Sequence, residues 1–376
     1  MASTVTESLL RRLAAFRASN GCAVSIYLDL DPSSAPTAPD VRGRFNAVVS
    51  HAEKLAEARA ADRDCRLALR DDLERVRAWW DDDFDRDGAH GLAIFASSAD
   101  GFFEVLSLAE SAGDDAWIDS GLRLSPLLSQ LGRDGDLVAV VSRERGTVYR
   151  FEAGRLVEII DETEETPGRH DQGGWSQARY ARHIDHLVQQ HLKTLGDEID
   201  RTLRGAGGLQ MVVVAPEELR AEVEHALSHD ARSAVIGWTT AEAHAGPVEL
   251  LEAVRPLLDE ARARHEHDVL ERWQEAHGRG ERASAGWKQT LAAASDARVA
   301  VLLVAEGAEQ PAWACPQCGR ASADGGRCQL DDAKLDAVPD GAELAVRQTL
   351  LHGGSVVRLG AGALADASGI AALLRF

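Results

Sequence analysis

From Tyr180 to Leu203 apolar residues recur at Ile184, Leu187, Val188, Leu192, Leu195, Ile199 and Leu203, spaced three and four apart. That spacing lines one face of a helix. The other face carries Arg179, Arg182, Gln189, Gln190 and Lys193, so the pattern predicts one amphipathic rod from about residue 176 to 203, on the order of 40 Å long. Shorter patterns flank it. Residues 1–20 read as a charged amphipathic helix, 23–28 as a strand, 31–40 as a Pro/Ser/Ala-rich loop, 41–80 as a long charged helical stretch, and 91–96 and 102–108 as strands. A hairpin and third strand follow at 136–142, 147–151 and 155–160. An acidic linker at 161–165 leads to the long helix, then a strand at 209–215, a helix at 217–228, a strand at 234–238 and a helix at 247–263. Further on, strands are expected at 298–306, 355–359 and 370–376, with a helix at 342–352. Strands alternating with helices predict a mixed α/β protein. The pattern falls into three domains: 1–133, 134–264, and 265–376 with a cysteine-bearing insertion at 313–332.

At 376 residues and 45% hydrophobic content the chain can bury cores for two or three domains. No apolar run is long enough to span a bilayer and residues 1–20 do not read as a signal peptide, so a soluble, cytoplasmic protein without membrane partners is expected. The formal charge of −20 argues against broad, non-specific nucleic-acid binding, DNA included. Charge is unevenly spread, however. Between Gly168 and Leu195, Arg169, Arg179, Arg182 and Lys193 stand against only Asp171 and Asp185, and His170, His183, His186 and His191 add charge when protonated. This segment opens on a polar, glycine-containing loop in which Gly173 and Gly174 give the backbone freedom to approach a partner closely.

A second chemical signal is Cys315-Pro-Gln-Cys318 followed by Cys328-Gln-Leu-Asp331. Two ligand pairs on glycine-rich turns suit tetrahedral zinc in a closed, structural site. Cys315, Cys318, Cys328 and Asp331 are the predicted ligands. An odd count of five cysteines argues against a disulfide reading, and Cys22 and Cys65 read as ordinary core or helix residues. Asp29 and Asp31 read as a loop-solvated pair without a basic partner, Asp81 to Asp83 as a solvated turn, and His265 to His267 as a polar hinge. His183 and His186 read as facing solvent or RNA. No nucleophile elbow, P-loop or His-Glu-x-x-His pattern is present, which removes ordinary hydrolase, NTPase and zincin classes.

Gly173-Gly-Trp-Ser-Gln-Ala-Arg-Tyr180 resembles the Gly-Gly-Gln-Ser-Ala-x-Arg-Phe signature of archaeal and eukaryotic class-1 peptide-chain release factors and Pelota, and is closer still to their bacterial homologues. The ending Gly369-Ile-Ala-Ala-Leu-Leu-Arg375 also resembles that family's third domain. The resemblance covers about two thirds of the chain, from residue 134 to 376. It implies a ribonuclease-H-like middle domain and an L7Ae-like C-terminal α/β sandwich that binds a translational GTPase. It further implies that Gly173, Gly174, Trp175, Ser176 and Gln177 enter the peptidyl-transferase centre from the ribosomal A site. Arg169, His170, Arg179, Arg182 and Lys193 would then meet 23S rRNA. Trp175 stands where the family has its water-positioning Gln, and an indole N–H cannot offer a carboxamide's paired donor and acceptor. No catalytic residue follows from the residues themselves, and Gln177 is the candidate if the chain is a rescue peptidyl-tRNA hydrolase. The resemblance points first to blocking, in the manner of Balon-type ribosome hibernation factors. A stress-related interaction protein without the ribosome is a third reading. The absence of an Asn-Ile-Lys-Ser tetrapeptide removes stop-codon recognition.

Overall fold

A computed structural model describes the chain apart from residues 1–4, 61, 87, 132–134, 153, 164–176, 206–208 and 243, and apart from the side chains of residues 163 and 177–185. It divides into two compact units, residues 1–131 with 264–376 and residues 132–263. The class is mixed α/β, as expected. Among the described residues no helix is long and apolar enough to cross a membrane.

The first unit begins with α1 (Glu7–Ala15), β1 (Ala23–Asp29), α2 (Ala38–Arg59), α3 (Arg63–Asp82), β2 (Gly91–Ser97), β3 (Phe102–Leu108) and β4 (Asp115–Asp119). The strands form an antiparallel sheet in the order β3-β2-β1-β4. Side chains alternate across it. Val24, Ile26, Leu28, Leu92 and Ile94 pack with α2 and α3, while Tyr27, Phe95, Leu106 and Leu108 face a second core shared with α1 and the C-terminal helices.

The helical stretch expected over 41–80 is two helices. Thr37 and Asp40 form a capping box that starts α2, and Asp62 caps α3 by accepting the Cys65 N–H. That cap sets Cys65 in the first turn, beside the chain entering β1. Cys22 and Cys65 form a disulfide with Cα atoms 6.1 Å apart, correcting the reading of both as ordinary residues. The five cysteines thus split into one pair and a group of three. Asp29 and Asp31 also find basic partners that lie far off in sequence. Arg44 sits 3.5 Å from Asp29 and 2.8 Å from Asp114, and His90 sits 3.2 Å from Asp31.

On α3, Asp72 is 1% exposed and accepts the Ser98 N–H, while its Oδ2 has no hydrogen-bond partner among the described residues. Burial pushes its carboxyl up to about 6 from 3.8. Because the folded-state value lies above the unfolded one, the folded chain binds this proton more tightly, and stability is lost as pH rises from about 4 through 6. Asp72→Asn should therefore stabilise the protein by about 1–3 kcal/mol at pH 7, with little gain at pH 4. Urea unfolding at the two pH values tests this, and an equal gain at both would remove the charge as the cause.

The second unit holds β5 (Leu137–Val141), β6 (Arg145–Glu152), β7 (Arg155–Thr163), α4 (Gln177–Gly205), β8 (Met211–Val214), α5 (Arg220–Ala226), α6 (His229–Ala234), β9 (Val235–Thr239) and the start of α7 (Pro247–Gly278). Its sheet runs β7-β6-β5-β8-β9, with β5, β8 and β9 parallel and β6 antiparallel to both neighbours. That is the strand order of a ribonuclease-H-like sheet. The single helix expected at 217–228 is instead a short turn and α5, with a second helix, α6, capped by Ser228. Residues 265–267, expected as a polar hinge, lie inside α7 just past the unit boundary at residue 263, and His267 Nε2 sits 3.3 Å from Glu271 one turn on.

The first unit resumes with β10 (Ala283–Ala285), α8 (Gly286–Ser295), β11 (Val299–Ala305), three short strands β12 (Ala312–Ala314), β13 (Ala321–Ser322) and β14 (Asp336–Val338), then α9 (Gly341–Leu351), β15 (Ser355–Leu359) and β16 (Ile370–Leu374). The main sheet runs β10-β16-β11-β15. Leu291, Leu302, Val346 and Ile370 pack on the α8–α9 side, and Val269, Trp273, Leu303 and Ala371 on the other, giving an α/β sandwich. Polar groups within α9 hold the N-terminal part of the unit. Glu343 Oε2 accepts the backbone N–H groups of Leu124 and Ser125 at 2.9 and 2.8 Å and the Ser125 hydroxyl at 2.8 Å. Arg347, one turn on and equally buried, donates to the Leu122 carbonyl and to Glu343. Beside them Arg123 meets Asp340 at 3.5 Å.

Candidate functional site

Two features singled out in the sequence can be followed here: the helix that begins just after Gly173 and Gly174, and the cysteine cluster. Helix α4 is 29 residues long and buries Val188, Leu192, Leu195 and Ile199 against Leu137, Ala139, Val148, Met211 and Val213. The expected stripe is therefore the face laid on the sheet. Two glycines let it seat. A Cβ on Gly146 would lie 2.5 Å from Leu195 Cδ2, and one on Gly196 only 2.6 Å from the Ala226 carbonyl oxygen, a backbone atom that cannot swing aside. Gly196→Val should cost about 1–3 kcal/mol by overpacking. Urea unfolding reads it, and an unchanged midpoint would show that α4 and α5 can separate freely.

Lys193 and His186 are exposed on α4. His191 is not, being 2% exposed with no partner at Nε2 among the described residues, so it does not lie on the exposed face expected to be basic. Gln177, Arg179 and Arg182 belong to α4, and their side chains lie outside the described residues, as do Arg169, His170, Gly173, Gly174, Trp175 and Ser176 altogether.

The cysteine cluster is built from two matching turns. In the first, the Cys315 N–H donates to the Arg320 carbonyl and the Gly319 N–H to the Cys315 carbonyl, both at 2.9 Å. In the second, the Cys328 N–H donates to the Ala333 carbonyl at 2.8 Å and the Asp332 N–H to the Cys328 carbonyl at 3.1 Å. Gly319 and Asp332 take the same left-handed position, with φ of 74° and 58°. Asp331 thus occupies in the second turn the place that Cys318 holds in the first. The Sγ atoms of Cys315, Cys318 and Cys328 and a carboxylate oxygen of Asp331 lie within 4.8 Å of one another. Cys318 Sγ is 3.5 Å from Cys328 Sγ, and Cys315 Sγ is 3.3 and 3.4 Å from the Asp331 oxygens. Sulfurs bound at about 2.3 Å to one tetrahedral ion stand about 3.8 Å apart, so three thiols and a carboxylate fit a single metal.

Backbone N–H groups orient these donors. Cys318 N–H points at Cys315 Sγ (3.5 Å), Leu330 N–H at Cys328 Sγ (3.4 Å) and Ala333 N–H at Asp331 Oδ1 (3.1 Å). The Ala333 N–H, against a burial cost and with help from the three thiols, holds the Asp331 carboxyl down at about 2. For Cys318 the Arg320 N–H acts downward, but burial and hydrogen bonding among Cys315, Cys328 and Asp331 push the thiol up to about 12. The group is fixed to the sandwich at several points. Gln348 Nε2 on α9 donates to the Gly319 carbonyl at 2.7 Å, the Ala321 N–H donates to Ser295 Oγ at 2.9 Å, and Arg320 pairs with Asp296 at 2.6 Å.

The buried polar set on α9 was missed in the sequence. Its available signal was the four-residue spacing of Glu343 and Arg347 within α9.

Residues 123–277 match the family described as Bacterial archaeo-eukaryotic release factor family 10. The peptide chain release factor subunit 1 of Archaeoglobus fulgidus is 24% identical over 214 residues, covering 54% of this chain and 52% of its own length. Its counterpart in Aeropyrum pernix is 35% identical over 82 residues, covering 21% of this chain and 22% of its own. The chain spans about half the length, or less, of these curated relatives. Among solved structures, a model of ribosome-bound archaeal Pelota and ABCE1 aligns at 14% identity over 76% of this chain and 77% of that one, with a TM-score of 0.40. That overlap is too loose to add to the sequence matches.

Proposed function

We propose that the chain is a bacterial archaeo-eukaryotic release-factor-like protein that binds the ribosome, enters the A site and blocks the peptidyl-transferase centre without cleaving peptidyl-tRNA. The observation that carries this reading is the match over residues 123–277, which runs through the glycine loop and α4 together. Gly173, Gly174, Trp175 and Ser176 are the inserted tip, and Arg169, His170, Arg179, Arg182 and Lys193 contact 23S rRNA phosphates. Trp175 stacks on an unpaired base rather than positioning water. Protection of idle ribosomes under stress is the physiological role this assigns.

Residues 265–376 are the proposed docking region for a delivering translational GTPase, and the division into 1–133, 134–264 and 265–376 is the proposed functional one. Zinc is the proposed metal, held by Cys315, Cys318, Cys328 and Asp331 in a closed, structural role. A second reading, favoured by Gln177 two residues beyond Trp175, is a rescue peptidyl-tRNA hydrolase.

Cosedimentation with vacant 70S ribosomes, run beside a peptidyl-tRNA release assay, separates these. Saturable binding without release is the expected result. Binding with release that Gln177→Ala abolishes would replace it with the hydrolase. Arg179→Glu should weaken binding about tenfold or more, since it turns an attraction to phosphate into a repulsion. No binding, with translational GTPases added, would leave a non-ribosomal interaction protein.

A further inference from the structure

The three thiols of the metal cluster are unequal in ways that zinc binding alone does not require. Cys318 is exposed, whereas Cys315 and Cys328 are 2% and 5% exposed. Cys315 Sγ faces both oxygens of Asp331, and Cys318 Sγ faces Cys328 Sγ at 3.5 Å. One accessible sulfur therefore stands beside one sheltered sulfur, within about 1.5 Å of disulfide bonding distance. The turns that carry them, 315–320 and 328–333, are closed by their own backbone hydrogen bonds, so the two sulfurs can approach without unravelling either.

We propose that this centre is an oxidation-released metal site, in which a peroxide-class oxidant joins Cys318 to Cys328 and expels the ion. The Cys318 sulfur attacks one peroxide oxygen, the O–O bond breaks, and the other oxygen leaves as water after taking a proton. Cys318 is then a sulfenic acid. Cys328 attacks the Cys318 sulfur, the S–O bond breaks, and the second oxygen leaves as water. Two electrons pass from the two sulfurs to the two oxygens. Cys315 and Asp331 remain, and two ligands do not hold a tetrahedral ion. The Gly319 carbonyl, bound by Gln348 of α9, lies next to the oxidised sulfur, so α9 is where the change is felt first.

The inference rests on the cluster holding zinc, and the test separates the two. Full-length protein is loaded with zinc, the bound ion is counted, and hydrogen peroxide is added in steps. Zinc release is followed with a chromogenic chelator and cysteine pairing by non-reducing peptide mapping. The expected result is one zinc released per Cys318–Cys328 disulfide formed, with rebinding after thiol reductant. In Cys318→Ser loaded at high zinc, the same peroxide should release zinc at least tenfold more slowly. Asp331→Cys, which keeps Cys318 beside Cys328, should still release it with the same linkage. Zinc that stays bound, or leaves while Cys315 rather than Cys318 is the linked residue, overturns the inference and leaves the metal site standing. Failure to load zinc at all removes the metal site and this inference with it.

Discussion

Glu343→Ala should destabilise the protein by about 3–5 kcal/mol, the largest loss expected of any single side chain outside the apolar cores. Both Glu343 and Arg347 are almost fully buried, at 4% exposure each. Removing the carboxylate orphans two backbone N–H groups at Leu124 and Ser125 and leaves a guanidinium in the interior with, among the described residues, the Leu122 carbonyl as its remaining acceptor. Among the described residues Arg347 Nη1 already lacks a partner, so no spare acceptor stands beside it there. Breaking one half of such a pair costs far more than replacing both. The double variant Glu343→Leu with Arg347→Met should therefore be less damaged than the sum of its parts. Urea unfolding of the two single variants and the double variant gives the coupling. Additive losses would mean the pair does not act as a unit.

The second large effect concerns the metal. Cys328→Ser should lower zinc affinity by more than about 100-fold, because even the partners that merely orient metal ligands are worth 10–100-fold. Asp331→Cys should raise it, since Asp331 stands at the Cys318 position of a matching turn and a thiolate there completes a four-sulfur site. The gain should grow with pH. Zinc must displace a proton from every thiol, and Cys318, pushed up to about 12 among its neighbours, gives up its proton reluctantly in the absence of an ion. Asp331, held near 2, has none to lose at neutral pH. The fourth cysteine adds a proton to the exchange, so the slope of affinity against pH should steepen by one. Competition against a chromogenic chelator between pH 6 and 8 measures both quantities. Equal affinity in Asp331→Cys and Asp331→Ala would place the carboxylate outside the ligand set.

What the chain disclosed in advance follows from how local each signal is. Helix α4 was legible because one face packs on the sheet and the other does not, and the stripe is the imprint of that asymmetry. The four residues of the cysteine cluster were legible because both turns are short and their spacing is written in one stretch. Helix α8 was not seen, since Ala292, Ala293 and Ala294 carry no contrast between faces, nor were the brief strands β10 and β12 to β14 around it. The Cys22–Cys65 disulfide spans 43 residues, and no local pattern announces such a partner. The same holds for Asp29 with Arg44 and Asp114, and for Glu343 with the chain at 122–125. Long-range polar pairing is a property of topology, which periodicity does not encode.

The shared core of the first unit also bears on how the chain reaches its native state during synthesis. Residues 132–263 are contiguous and can close their sheet as soon as they emerge. The N-terminal sheet is served differently on its two sides. Val24, Ile26 and Leu28 find α2 and α3 within the first hundred or so residues, but Tyr27, Phe95 and Leu106 share their cluster with Trp287, Leu291 and Val346, made near the end. Until then that side of the sheet has bare apolar surface in the growing chain. A nascent chain halted before α9 should thus bind a holdase chaperone, and one released after β16 should not.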